Sequence, residues 1–299
     1  MRSLVKYIQN PRWPRQQWRR AVWQVMANIG LTGLHALPLR KQWVEFALCP
    51  MPIQHLPPAL DGMTLVQISD LHYSPLVWGK YLDQYIQWIN ELSPGIVVVT
   101  GDLFMGGRRY ADKVAALLAD LQTTYGVLCI LGNHDYGIDA NTVTSRGVRR
   151  ADYLVDTLRA HGLIVLRNSL WRVPADPAGR SLTFVGLDDD WAGEMSPDQA
   201  FADVKAREAV ICLVHNPAHC LKLMEYPWQW MLCGHTHGRQ LASGVIGRRL
   251  YPKRYRQFTH GLYTLNGRHL YVNRGLSYGQ RARNWCRPEI TVFQLARGG

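Results

Sequence analysis

Acidic residues are nearly absent from both ends of this 299-residue chain. Glu45 is the one acid among residues 1–60, which hold eight Lys or Arg, and Glu289 is the one acid among residues 239–299, which hold twelve. The middle of the chain is acidic, although the formal net charge of the whole is +12. Basic ends around an acidic middle point to an anionic partner, which could be a membrane surface, a phosphorylated substrate or nucleic acid.

The sequence also lacks a CxxC pair and a long apolar run. Its six cysteines are scattered, and Cys129, Cys212 and Cys233 lie inside apolar, strand-like segments. We therefore expect buried, reduced thiols in a cytosolic compartment. The uncharged stretch 21–39 includes polar residues, two glycines and Pro38, so it makes a poor transmembrane helix, and it has no clear cleavage site for a secretory signal.

Residues 1–60 differ in composition from the rest of the chain. The stretch PRQQWRRAVWQVMANIG carries large apolar residues at helical spacing after a cluster of arginines, which predicts an amphipathic helix. Such a helix either lies at a membrane interface or packs on the protein's own core, and the residues leave both open. The pair Arg19-Arg20 fits a twin-arginine export signal weakly. The Pro-rich stretch 49–62 predicts an extended connector to a domain that spans 61–299.

From Leu65 onward, short β-branched segments alternate with helical patterns. Nine segments, from TLVQISD to EITVFQL, are typical of strands, and helices are predicted over 78–92 and 110–121. The strands are almost continuously apolar, as expected when both faces of a sheet are covered. The pattern therefore predicts a layered α/β domain.

Polar residues recur at the carboxyl ends of five of these strands. They are Asp70 and His72 (DLH), Asp102 (TGD), Asn133, His134 and Asp135 (GNHD), His215 (VHNP), and His235 and His237 (GHTH). Open α/β sheets bind ligands in the crevice at this edge, so we expect these side chains to meet. In an extended segment, alternate residues point to the same face, so both histidines of GHTH would face the crevice. Arg239 follows at the same spacing and would face it too.

The ligand types favour a pair of divalent metal ions. Imidazole nitrogen mixed with carboxylate and amide oxygen suits Mn²⁺, Fe or Zn²⁺ better than Mg²⁺ or Ca²⁺. The ligands are too numerous for one ion and about right for two. Two metals about 3.5–4 Å apart can hold both ends of an in-line phosphoryl displacement and activate a bridging hydroxide.

In this order, D-x-H, G-D, G-N-H-D, H and G-H-x-H resemble the signature of calcineurin-type metallophosphoesterases over about 65–299. The resemblance implies a four-layer αββα sandwich, here preceded by the N-terminal amphipathic helical segment. It implies two bound metal ions, and we expect both to be Mn²⁺. It would place Asp70, His72 and His237 on one ion and Asn133, His215 and His235 on the other, with Asp102 bridging the two. By the same resemblance, His134 would act as general acid or charge stabiliser, and Asp135 is the candidate residue to orient it.

Finer features are similar to one branch of that family. HNPAH, GHTHGRQ, YVNRGLSYG and RPEITVFQL resemble the branch that includes YaeI-type phosphodiesterases and LpxG-type UDP-2,3-diacylglucosamine hydrolases. The LpxH type has an arginine where this chain has His134. Arg239 replaces the second glycine of the usual GHTHGGQ, and we expect it to bind substrate phosphates together with Arg274.

Three functions stay open at this stage. The first is hydrolysis of a lipid-linked nucleotide, UDP-2,3-diacylglucosamine, to UMP and 2,3-diacylglucosamine 1-phosphate in lipid A synthesis. The basic run 247–258 would bind charge there, and the aromatic helix 78–92 with the N-terminal segment would offer apolar surface. This function implies a cytoplasmic enzyme held peripherally on the anionic inner face of the cytoplasmic membrane.

The alternatives are a soluble phosphodiesterase of nucleotides or small diesters, and a non-catalytic metal-binding scaffold. A nuclease is a fourth option that only the net charge of +12 suggests, and no nucleic-acid partner is expected, because the sequence has no recognisable binding module.

Overall fold

The computed structural model describes residues 44–74, 77, 79–138, 147–173, 179–239, 257–277 and 287–298. The predicted N-terminal amphipathic helix and its membrane contact lie outside these residues. Among the residues that are described, no helix combines the length and the apolar character needed to span a bilayer.

The described residues form two six-stranded sheets and four α-helices. The strands are β1 (Glu45–Ile53), β2 (Thr64–Ile68), β3 (Ile96–Thr100), β4 (Gly126–Ile130), β5 (Ile164–Val165), β6 (Ser169–Arg172), β7 (Leu182–Gly186), β8 (Ala209–Leu213), β9 (Trp230–Cys233), β10 (Gly261–Leu265), β11 (Arg268–Val272) and β12 (Glu289–Arg297). The helices are α1 (Gly79–Glu91), α2 (Arg109–Ala119), α3 (Gly147–Ala160) and α4 (Pro197–Phe201). Short 3-10 turns cover Pro58–Leu60, Pro217–His219, Lys222–Glu225 and His237–Arg239.

Most strand pairs are parallel, which decides where the strand ends meet. The first sheet has the order β1-β12-β2-β3-β4-β5, and β2 to β5 run parallel to one another. The second has the order β10-β11-β9-β8-β7-β6, with β11, β9, β8 and β7 parallel and antiparallel strands at both edges. The carboxyl ends of β2 to β4 and of β7 to β9 therefore each share one edge of their sheet.

The side chains of β3 show why the strands are apolar on both faces. Ile96 and Val98 belong to the core between the two sheets, whereas Val97 and Val99 pack under α1, α2 and α3. A third core lies under α4 and the 3-10 turns on the outer face of the second sheet. Helices, two sheets and helical turns thus form the four-layer αββα sandwich expected from the sequence. The five described cysteines are buried and form no disulfide bonds.

The first sheet includes residues that precede the predicted domain start at 61. The stretch read as a connector begins as strand β1, which pairs in parallel with β12 from Glu45 opposite Glu289 onward. The sequence did not predict this strand because it contains Pro50 and Pro52, and proline cannot donate to the hydrogen-bond ladder of a sheet. It is tolerated here because β1 is an edge strand, with both prolines exposed and Met51 between them buried.

Helix α1 does not present the open aromatic surface that we expected for acyl chains. Tyr85 is only 2% exposed, and Tyr81 and Trp88 pack against the core under the helix. The helical repeat places Leu82, Tyr85, Ile86 and Ile89 on one buried stripe, so the aromatic residues mainly stabilise the fold.

Candidate metal centre

The loops that follow five strands carry all nine of the strand-end residues singled out in the sequence. Asp70 and His72 follow β2, Asp102 follows β3, Asn133 to Asp135 follow β4, His215 follows β8, and His235 and His237 follow β9. The first three strands belong to one sheet and the last two to the other. The site therefore lies across the carboxyl edges of both sheets.

One cluster of ligand atoms forms around His72. Its Nε2 atom lies 3.0 Å from His237 Nε2 and 3.6 Å from Asp102 Oδ2. Asp70 Oδ1 lies 3.3 Å from His237 Nε2. One potential ligand atom from each of the four residues lies within 4.8 Å of those of the other three.

A second cluster forms around His215 and shares Asp102 with the first. His215 Nε2 lies 3.1 Å from Asp102 Oδ2 and 3.3 Å from His235 Nδ1. His235 Nδ1 in turn lies 3.0 Å from Asn133 Oδ1. The two clusters contain the residues that the resemblance assigns to two ions, with Asp102 common to both.

These distances fit metal ions as the shared partner. Ligands that bind one ion at bond lengths of about 2.0–2.2 Å lie about 3 Å from each other, as the atoms of both clusters do. Burial, together with the nearby His215, lowers the pKa of His235 to about 3, so His235 is neutral, as a ligand must be. Burial opposes protonation of His215, but Asp102 raises its pKa to about 10. A positive charge at His215 Nε2 is therefore favoured, and a bound metal ion would supply it in place of a proton.

The backbone around the clusters is held in the left-handed region. The φ angles are +50° at Asp70, +44° at His72, +55° at Asp102, +70° at His235 and +48° at His237. Residues other than glycine rarely adopt such angles, and strain of this kind concentrates at functional sites. Five of the seven predicted ligands have it.

The same angles correct our explanation of the GHTH spacing. Strand β9 ends at Cys233, and the histidines lie in left-handed turns that lead into the 3-10 turn His237–Arg239. Turns, not the alternation of an extended segment, bring His235 and His237 to the crevice. The extended geometry therefore no longer supports Arg239 continuing their face, and the side chain of Arg239 lies outside what the structure describes.

Two motif glycines allow the backbone to approach the clusters. A Cβ atom on Gly234 would overlap Ser69 Oγ and lie 2.5 Å from Asp70 Oδ2. A Cβ atom on Gly132 would overlap Asp102 Oδ1. The glycines of GHTH and GNHD are thus required by space, because any side chain would displace a carboxylate of the site.

His134 lies beside the first cluster without belonging to either. Its backbone N–H donates to Asp102 Oδ1 at 2.9 Å, and its ring meets the His72 ring edge-on at 4.9 Å. Asp135 was expected to orient His134, but its carboxylate accepts backbone N–H groups of Gly132, Leu103 and Phe104 instead. Asp135 therefore ties the loop after β3 to the loop after β4.

Arg274, predicted to bind substrate, is engaged by two carboxylates. Its Nε atom donates to Glu289, and its Nη2 atom lies 3.3 Å from Glu45 Oε2. Gly275, the next residue, packs directly against Asp70, so this ion-pair cluster borders the metal centre. These pairs do not favour a second role for Arg274 on a phosphate. Most of the basic run 247–258 lies outside the described residues.

A sixth strand contributes residues that sequence reasoning missed. Asp188 and Asp189 follow β7 and are each 4% exposed. Burial raises the pKa of Asp189 to about 6 against the opposing effect of His215, and its Oδ1 atom accepts the N–H of Ala192 at 3.0 Å. The same turn sets Trp191 edge-on to the His235 ring at 5.0 Å. The signal was present, because the strand segment LTFVGLDD ends in acids at the same point as the others.

Comparison with known proteins gives one consistent result. The family model described as calcineurin-like phosphoesterase matches residues 63–239, which include every motif from DLH to GHTH. The chain is 34% identical to the uncharacterized metallophosphoesterase YkuE of Bacillus subtilis, over 80% of this chain and 81% of that protein. It is 32% identical to the phosphodiesterase YaeI of Escherichia coli, over 76% and 80%. It is 29% identical to the UDP-2,3-diacylglucosamine pyrophosphatase LpxG of Chlamydia trachomatis, over 79% and 84%.

Proposed function

Because the chain belongs to the calcineurin-like phosphoesterase family, we propose that its hydrolase activity acts on the pyrophosphate bond of a lipid-linked nucleotide, UDP-2,3-diacylglucosamine. The chain is a metal-dependent phosphoesterase by family. The sharing of Asp102 by two ligand clusters is the observation that carries a two-ion mechanism. The substrate rests on the similarity to LpxG, whose name states that reaction, and on the sequence features that we assigned to it.

Asp102 has the central role in the mechanism that we propose. Its Oδ2 atom faces both clusters, while its Oδ1 atom accepts the N–H of His134 and so fixes that residue beside the centre. Two ions held by the residues of both clusters would supply Lewis acidity and lower the pKa of water. The half-buried ring of His134 then donates a proton to the leaving oxygen or stabilises the charge that develops there.

The place where the N-terminal segment joins the fold supports a membrane-facing site. Strand β1 begins at Glu45, beside Glu289 and Arg274, and Gly275 packs on Asp70. Residues 1–43, which hold eight Lys or Arg and no acid, thus join the domain at the edge that carries the metal centre. Residues 240–256, with five Lys or Arg and no acid, follow the His237–Arg239 turn at that same edge. We propose that this edge faces an anionic membrane, on the cytoplasmic side.

A soluble phosphodiesterase is the second candidate, and two observations favour it. The relative YaeI, at 32% identity, carries that name. The packing of Tyr85 and Trp88 on the core also removes one of the apolar surfaces that we expected to receive acyl chains. A non-catalytic scaffold is disfavoured, because both ligand clusters are complete and His134 stands beside them.

A side-by-side assay tests the substrate. We expect metal-loaded protein to hydrolyse UDP-2,3-diacylglucosamine with a kcat/KM at least about tenfold above that for a UDP-sugar without acyl chains and for bis-p-nitrophenyl phosphate. Asp102→Ala, purified in parallel, controls for a contaminating hydrolase. Preference for the soluble diester would replace the first function by the second, and no hydrolysis of any of the three would refute both.

A further inference from the structure

A cleft lies at the edge of the sheets opposite to the metal centre. Strands β8, β9 and β11 begin there, and β1 and β12 end there. Two adjoining cavities of about 610 and 580 Å³ form the cleft, and both are lined by Gln54, His55, Arg207 and Gly298. Five-residue strands such as β8 are about 16 Å long, so this cleft is a separate place from the metal centre.

The lining of the cleft is strongly basic. Among the described residues that line it are five Lys or Arg and one acid, Glu208. The basic residues come from four separate parts of the chain and are Arg180, Lys205, Arg207, Arg268 and Arg297. No basic run in the sequence marks this place, and Arg180, Lys205 and Arg207 come from the acidic middle of the chain.

Glu208 does not offset that charge, because other groups already engage its carboxylate. Arg172 Nε donates to Glu208 Oε1 at 2.6 Å, and the hydroxyls of Ser181 and Thr183 donate to the same oxygen. Burial alone would raise the pKa of Glu208, but the hydrogen bonds from Arg172 and Thr183 lower it to about 2. Glu208 therefore does not cancel the positive charge that Arg207 and Arg297 present to an anion from solution.

The floor of the cleft is buried and holds one of the arginines in place. Trp228 is 1% exposed, and the Arg268 guanidinium lies 5.1 Å above its ring while donating to the carbonyls of Met224 and Tyr226. Gln229 joins the two sheets through its hydrogen bond from the Gln54 N–H at 2.8 Å. Arg207 and Arg297 lie exposed at the rim above this floor.

We propose that this cleft binds a small phosphate-bearing ligand, independently of the metal centre. Guanidinium groups donate in a planar fork that matches phosphate oxygens, and arginines on several sides of a concavity can bind one phosphate together. Each cavity lies within the range of about 300–1,000 Å³ that is typical of small-ligand sites. A membrane contact needs no concavity with a fixed aromatic floor, so the shape favours a soluble ligand over a lipid headgroup.

Calorimetric titration of the full chain with inorganic pyrophosphate and with UMP tests the proposal. Metal-free and metal-loaded protein are compared at low ionic strength, because a phosphate bound at the metal centre requires the metals and one bound in the cleft does not. We expect metal-free protein to bind pyrophosphate, and Arg207→Ala with Arg297→Ala to weaken that binding by about tenfold or more. Arg149→Ala, on the exposed face of α3, removes a charge elsewhere and should leave binding unchanged.

Each other outcome overturns the proposal. One is a double variant that binds pyrophosphate as tightly as the unchanged protein. Another is an Arg149→Ala variant that loses as much affinity as the double variant, and the last is pyrophosphate binding that disappears when the metals are removed. Vesicles of phosphatidylglycerol and of phosphatidylcholine distinguish the source of the phosphate. If the double variant loses only phosphatidylglycerol binding and no soluble phosphate binds, the cleft contacts a lipid surface instead. Thermal melting checks that the variants fold, and hydrolysis of bis-p-nitrophenyl phosphate should be unchanged in all of them, so the test is independent of the proposed function.

Discussion

The Nε2 atoms of His72 and His237 lie 3.0 Å apart, although the two residues follow strands of different sheets. Their rings are stacked, with centroids 5.0 Å apart. At this distance the two nitrogens share a hydrogen bond if one of them carries a proton, and they can bind one cation together if neither does. A cation that both nitrogens bind would therefore also join the two sheets at their carboxyl edge.

We expect the purified protein to hold two divalent ions per chain and to lose its activity when they are removed. The two clusters around Asp102 provide the sites, and the mixed nitrogen and oxygen donors favour Mn²⁺ for recovery of activity. Elemental analysis measures the metal content, and hydrolysis of bis-p-nitrophenyl phosphate measures the activity. Both are measured before chelation and after addition of Mn²⁺, Zn²⁺ or Mg²⁺. Full activity in metal-free protein would contradict the two-ion mechanism.

Replacement of the shared ligand should affect both ions, whereas replacement of an unshared ligand should affect one. Asp102→Ala removes the oxygen that lies 3.6 Å from His72 Nε2 and 3.1 Å from His215 Nε2. We expect its metal content to fall towards zero and its turnover to fall by about 100-fold or more. The matched variant His237→Ala should keep about one ion. If both variants lose the same single ion, Asp102 does not bridge.

His134→Ala should separate catalysis from metal binding. The His134 ring lies beside His72 but outside both clusters, so its loss should leave the metal content at two. We expect kcat to fall by about 10²–10⁴-fold, the usual contribution of a positioned proton donor. Elemental analysis and steady-state kinetics on the same preparation test this. A parallel loss of metal would reassign His134 as a ligand.

The ion pair between Arg172 and Glu208 should stabilise the fold in a pH-dependent way. The pKa of Glu208 is lowered from its ordinary value of 4.5 to about 2 in the folded chain, so its contribution is present above pH 4.5 and is lost as the pH falls towards 2. At pH 7 we expect Glu208→Gln to lower the melting temperature by about 3–10 °C, and at pH 3 by much less. The exposed Glu225→Gln is the control, and an equal effect of Glu208→Gln at both pH values would contradict the assignment.

Deletion of residues 1–43 tests the predicted membrane contact and leaves β1 in the sheet. We expect the full chain to sediment with vesicles that contain anionic lipid and the truncated chain to remain in solution, because the deletion removes eight basic residues and the predicted amphipathic helix. Neutral vesicles are the control for charge. If truncation does not change vesicle binding, the segment packs on the domain. A deletion of 1–60 would also remove β1 and should lower stability.

Most of the metal centre was readable from the sequence because of one geometric rule. Parallel strands of one sheet present their carboxyl ends at a single edge, so Asp70, Asp102 and Asn133 could be expected to meet before any contact was known. His215 follows a strand of the second sheet, and the packing of the two sheets brings it to them. The same rule also applies to Asp189, which follows β7, but we did not predict this residue at the site. It did not reveal β1, because Pro50 and Pro52 remove the local signal of a strand and only pairing with β12 restores it.

The sequence by itself determined the family, the layered α/β fold and the residue types that gather at the carboxyl edge, because strand periodicity and motif spacing are local properties. Only the tertiary structure decided how those residues meet. Left-handed turns bring His235 and His237 to different clusters, and Glu45 and Glu289 occupy Arg274. The same holds for the cleft at the opposite edge, where folding gathers arginines from positions 180, 207, 268 and 297. Charges so far apart along the chain produce a common field only after the two sheets have packed together.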